Sequence, residues 1–99
     1  MTGAKIHFAA NHPTAAGHFP GNPIIPGALL LDEVMIALHA ETGLHPSVIR
    51  AAKFLAPVRP GDTLVLTCQK SGAGAVKFEC RRDATLVATG TVELRARAA

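Results

Sequence analysis

Ninety-nine residues, ten of them Lys or Arg and seven Asp or Glu, carry a formal charge of +3, which is enough chain for one core and too little for two. With 48% hydrophobic residues, 17% charged residues and no Trp or Tyr, the composition is globular and excludes a disordered or low-complexity chain. A single domain over residues 1–99 buries only about 60 to 65% of the surface its unfolded chain exposes, so a wide cavity within one subunit is costly and a partner subunit is expected.

The opening MTGAKIHFAANHP has no uninterrupted apolar run of the kind that directs export. Residues 5–9 read as a short strand. Asn11 to Pro26 then holds prolines at 13, 20, 23 and 26 and glycines at 17 and 21, a stiff irregular loop that enters the next element along a defined path. ALLLDEVMIALHAETG, from Ala28, lacks proline and runs to Gly43, predicting a helix of about 14 to 15 residues. Leu30, Val34, Leu38 and Glu41 follow one stripe of it, while Leu29, Leu31, Met35, Ile36 and Ala37 spread apolar surface around most of the cylinder, which calls for packing on more than one side. Asp32 and Glu33 interrupt this pattern, and at least one of them is expected to face a special environment. The most apolar segment, IIPGALLLDEV, is broken by Pro26 and Gly27 and carries both acids, which argues against a membrane span.

The remainder reads as sheet. Residues 48–58 lead to Arg59-Pro60-Gly61-Asp62, a strong turn signal, and alternation resumes in TLVLTCQ at 63–69. After Gly72-Ala73-Gly74, VKFECR at 76–81 sets Val76, Phe78 and Cys80 on one face and Lys77, Glu79 and Arg81 on the other. In VATGTVELRAR at 87–97, Ala88, Gly90, Val92 and Leu94 share one face, and Thr89, Thr91, Glu93 and Arg95 the other. Phe54 and Phe78 are expected in the core, and Phe19 as a loop anchor or pocket wall. A turn near residue 73 sets Cys68 approximately across from Cys80, where a disulfide is conceivable, but two reduced thiols packed as small apolar groups are expected. Two cysteines in this spacing fit neither a disulfide scaffold nor a zinc motif, so a reduced, cytoplasmic setting follows. The architecture implied is α+β, one long helix beside an antiparallel sheet.

The bases are spread from Lys5 to Arg97 without a dense run, and no recognition helix, zinc finger or aromatic-rich sheet pattern accompanies them, which excludes nucleic-acid binding. His7, His12 and His18 match no compact metal-ligand spacing, and His39 and His45 are assigned to packing or to the helix C-terminus.

Chemistry concentrates in GHFPGNPIIPGALLLDEV, residues 17–34. His18 offers an imidazole in a stiff loop, and Asp32 a carboxylate one turn inside the apolar helix, a pair suited to proton removal and donation. Glu33 points about 100° away from Asp32 around the helix and is assigned to a salt bridge or to solvent. Gly27, placed just before the helix, and Ala28 have N–H groups without intrahelical acceptors, and the missing Cβ of Gly27 lets a substrate carbonyl approach closely. Charge developing on that oxygen would meet those donors and the positive end of the helix.

HFPGNPIIPGALLLDE resembles the signature of the β-hydroxyacyl-acyl carrier protein dehydratases of the hotdog-fold superfamily, and AAKFLAPVRPGDTL resembles their downstream strand-turn-strand segment. The resemblance runs over nearly the whole chain from about His7. It implies a hotdog fold, an antiparallel sheet wrapped around a long central helix, and dehydration of a 3-hydroxyacyl thioester to a 2-enoyl thioester. By it, His18 is the catalytic imidazole and Asp32 its acidic partner from the opposite subunit of a homodimer or higher oligomer, while the Gly27 N–H holds the thioester oxygen. No metal or redox cofactor is implied, because the thioester carbonyl is the electron sink. The substrate would ride on acyl carrier protein or coenzyme A, and a basic patch around Lys53, Arg59 or Arg81 at the pocket mouth would favour the acidic carrier. Asp32 stands where the broad-chain members have Glu, as in the dehydratase-isomerase branch, and Ile36 where many have a water-ordering Gln. A hotdog thioesterase and a non-catalytic acyl- or carrier-binding module are the alternatives.

Overall fold

The computed structural model describes residues 3–11, 23–72 and 74–96. Among the described residues, five strands and one helix make the α+β hotdog arrangement: β1 (Ala4–His7), α1 (Gly27–Thr42), β2 (His45–Phe54), β3 (Thr63–Lys70), β4 (Ala75–Arg82) and β5 (Thr85–Arg95). The antiparallel sheet has the order β1-β3-β4-β5-β2, so the two strands flanking the helix in sequence lie at opposite edges, and both edges touch the helix.

Alternation decides which face of the sheet is buried. Leu64, Leu66 and Cys68 of β3, Val76, Phe78 and Cys80 of β4, and Ala88, Val92 and Leu94 of β5 all turn inward against Leu30, Val34 and Leu38 of α1. Full burial of side chains of this size contributes about 1.5 to 3 kcal/mol each. Val87 is buried as well as Ala88, because the β4–β5 register shifts between Cys80 and Arg81. The extra residue this inserts gives its carbonyl to Leu55 N–H at 2.8 Å.

The helix begins one residue earlier than predicted, at Gly27, and its 16 residues end at Gly43, whose φ of 73° stops it. Glu41, expected on the buried stripe, is exposed, since the stripe reaches the end of the packed surface at Leu38. His39 Nδ1 lies 2.9 Å from Leu44 O, and its ring stacks on His45 at 4.5 Å, which fits the packing role expected of the pair.

Three expectations are corrected. β2 begins at His45, earlier than the 48–58 segment, and tolerates Pro46 because it is an edge strand. Cys68 faces Phe78, and Cys80 faces Leu66, so the two thiols are offset by two positions instead of opposed, and both remain buried thiols. Phe78 is fully buried, but Phe54 is 49% exposed, since β2 is an edge strand exposed along nearly its whole length.

Candidate active site

Two irregular segments converge at the N-terminal end of α1. Ile25 N–H donates to Val58 O at 2.7 Å, tying the residues before the helix to the chain that leaves β2. That second segment is anchored in turn: Arg82 Nη1 donates to Pro57 O at 2.8 Å and to Asp62 Oδ2 at 3.0 Å, and Asp62 Oδ2 also accepts Arg59 N–H at 2.9 Å. Between the segments lies a pocket of about 370 Å³, walled by Ile24, Ile25, Gly27, Leu30, Phe54 and the run Leu55 to Val58.

Pro26 caps the helix through its carbonyl, which accepts from Leu29 N–H at 3.0 Å and Leu30 N–H at 3.1 Å. The N–H groups of Gly27 and Ala28 meet no acceptor among the described residues. They stand at the positive end of a four-turn dipole, beside an apolar wall that strengthens any hydrogen bond made there. Gly27 is therefore the first helical residue instead of the last residue before the helix, and its pocket can accept a carbonyl oxygen.

Asp32 is exposed. Its side chain leaves the helix roughly 160° around from the Leu30, Val34 and Leu38 stripe and about 140° around from Gly27, so one chain does not gather Asp32 and Gly27 into one pocket. Ile36, one turn further on the same outward side, is 63% exposed. Glu33 is exposed and forms no ion pair among the described residues, which agrees with a solvent role. His18, with His12 and Phe19, lies outside the described residues.

Charge near the pocket differs from expectation in one residue. Lys53 and Arg59 bracket the wall segment in sequence, but Arg81 pairs with Glu79 at 3.3 Å on the outer face of β4, and Arg82 is the base that reaches the wall. Arg82 was not legible in the sequence, where the strand was expected to stop at Arg81 and the hold on Pro57 spans 25 residues. Among the described residues no three His, Cys, Asp or Glu side chains cluster as a metal site needs. No described helix is long and apolar enough to cross a membrane.

Residues 2–91 match the family model of the ApeI-like proteins, described as ApeI dehydratase. The chain is 39% identical over 93 residues to the 3-hydroxyacyl-[acyl-carrier-protein] dehydratase FabZ of Ehrlichia chaffeensis, covering 83% of this chain and 65% of that protein. It is 36% identical over 108 aligned positions to FabZ of Brucella melitensis, covering 96% of this chain and 68% of that protein. The chain thus spans about two thirds of the length of these relatives. Among solved structures, the dehydratase heterocomplex ApeI:P from Xenorhabdus doucetiae superposes with a TM-score of 0.74 at 26% identity, over 92% of this chain and 83% of that one.

Proposed function

The chain belongs to the ApeI-like dehydratase family, and from that premise we propose that it eliminates water from a 3-hydroxyacyl thioester to give the 2-enoyl thioester. His18 takes the C2 proton, the electron pair forms the C2–C3 double bond, and the C3–O bond breaks as Asp32, directly or through a water, gives its proton to the departing hydroxyl. Negative charge gathers on the thioester oxygen during proton removal, and the Gly27 N–H is the donor that meets it. The observation that carries this reading is the pocket at the head of α1, where N–H groups without acceptors among the described residues border an apolar wall.

Asp32 points away from the core of its own chain, and this supports a homodimer in which the acid of one subunit serves the imidazole of the other. Ile36 on α1 with Val48, Ile49, Phe54 and Leu55 on and after β2 supplies the exposed apolar surface for such a contact. The dehydratase from Xenorhabdus doucetiae is a heterocomplex, so a second, different hotdog chain is the competing partner. Lys53 and Arg59, which flank the wall segment in sequence, suit a negatively charged carrier, acyl carrier protein or coenzyme A, in a cytoplasmic acyl-chain pathway.

The test is incubation of the purified protein with 3-hydroxyacyl and saturated acyl thioesters, recording enoyl product and released thiol together. Enoyl formation without thiol release is expected. Rapid thiol release without enoyl product would establish a thioesterase, and tight acyl binding without either product an acyl-binding module.

A further inference from the structure

A Cβ built on Gly27 would stand 2.9 Å from Phe54 Cζ, 3.0 Å from Cε2 and 3.3 Å from Cε1. The far edge of the Phe54 ring therefore occupies the space that a side chain at position 27 would need. Phe54 is half exposed, so the ring is not there to fill the core. The backbone that carries it is fixed: Phe54 pairs with Ala88 in the β2–β5 ladder, and the next residue, Leu55, donates its N–H to Val87 O at 2.8 Å. The same ring is one wall of the 370 Å³ pocket that Gly27 also lines.

We propose that Phe54 is a specificity-determining residue, whose ring edge against Gly27 restricts the pocket to acyl thioesters unbranched at C2. This rests on the reading of Gly27 as the donor to the thioester oxygen. A carbonyl oxygen accepting a hydrogen bond at about 2.9 Å places the acyl C1 and C2 within roughly 4 to 5 Å of the donor nitrogen. A methyl group on C2 then lies in the zone that the ring bounds. A strand-anchored aromatic edge yields little to such a group, and one methyl against a fitted apolar wall changes discrimination by about 10- to 200-fold.

The test compares two stable probes, butanoyl- and 2-methylbutanoyl-pantetheine with the thioester sulfur replaced by NH, by calorimetry on the wild type, Phe54→Ala and Phe54→Leu. The wild type should bind the unbranched probe at least about 10-fold more tightly. Phe54→Ala should bring the two affinities within about threefold, and Phe54→Leu should fall between and supply the comparison where the alanine variant does not fold. An affinity ratio that stays the same in both variants overturns the proposal, as does a wild type that binds neither probe. A residue with only a structural role would lower both affinities in parallel. Turnover of 3-hydroxybutanoyl thioester by the same preparations separates the two readings: a shifted ratio without enoyl product sinks the dehydration and leaves the wall standing, while product with an unshifted ratio does the reverse.

Discussion

Phe78 lies over Gly90 of the neighbouring strand, with Cε2 of its ring 2.6 Å from the position a Cβ at residue 90 would take. Ala51 O on β2 closes the same space from the other side. Phe78 and Gly90 are register partners between β4 and β5, so the ring fully buries itself by lying across the bare backbone of its own partner. Any side chain at 90 must push either a core aromatic or the β2 backbone. Gly90→Ala is expected to lower stability by about 1 to 3 kcal/mol, and Gly90→Val by more. Urea denaturation followed by circular dichroism measures both, and a variant as stable as the wild type would refute this packing.

Asp32 is exposed and contributes no ion pair among the described residues, so its removal should leave the fold intact. Asp32→Asn and His18→Ala are each expected to reduce kcat by about 100-fold or more. For Asp32→Asn the melting temperature should move by no more than a degree or two. Mixing the two inactive variants provides a further check, since a shared site would recover part of the activity in mixed dimers.

Among the described residues Ile36 is the most exposed of the large apolar side chains, on the same side of α1 as Asp32. In the homodimer proposed above, Ile36→Lys is expected to shift the mass in light scattering from dimer to monomer, with loss of turnover, because a buried unpaired ammonium opposes association. A dimer of unchanged mass and activity would place the contact elsewhere.

Arg82 and Asp62 are each only about a quarter exposed in their side chains, at 27% and 24%, so their pairing is partly shielded from solvent. Arg82→Ala should cost about 1 to 2 kcal/mol, less at high salt, and loosen the wall segment 55–58. Hydrogen exchange at Ile25 and Leu55 should then accelerate more than exchange within β4, because those two amides lace the segment in place. A uniform rise over the whole sheet would instead indicate general destabilisation.

Burial pushes the Cys80 thiol up to about 12. Burial, followed by the nearby Glu41 charge, raises Cys68 in the same direction. Cys80 therefore stays protonated in the folded chain above pH 9, where an unfolded chain ionises it, and Cys68 shifts in the same sense. Above that pH the unfolded state holds fewer protons, so stability is full below about pH 9 and declines as the pH climbs toward 12. Cys80→Ala should flatten much of this decline in pH-dependent denaturation. At pH 8 iodoacetamide should label neither thiol until urea unfolds the chain.

The strands β3, β4 and β5 were legible because one face of each is buried: Val76, Phe78 and Cys80 alternate with exposed Lys77 and Arg81. β2 was read as sheet within 48–58, but its start at His45 and the exposure of Phe54 were not legible, since an edge strand exposed on much of both faces carries no such period. The offset of the two cysteines depended on the register across the turn near residue 73, where a small error in the centre moves every pair. For the candidate site, the Pro-Gly entrance put Gly27 at the head of α1, where it lines the pocket, and the acid in LLLDEV put Asp32 on the same helix. Their divergence around the helix follows from counting 100° per residue, whereas Arg82 and its hold on Pro57 arise from contacts between segments 25 residues apart, which no local pattern records.

The pairing of β1 with β3 joins Ala4 to Leu66, the first strand of the chain to one two thirds of the way along it. On the ribosome, at about 5 to 20 residues per second, β1 waits roughly 3 to 12 seconds before its hydrogen-bonding partner exists. Ile6 and Phe8, buried in the finished protein, lack the shelter of β3 throughout that interval. The strand is only four residues long and includes Lys5, a brevity and a charge that limit its chance of pairing with another nascent chain. Closure of the sheet comes later still, when β5 pairs with both β4 and β2, and the Gly61 N–H that donates to Phe8 O at 2.6 Å fastens only the β1 edge.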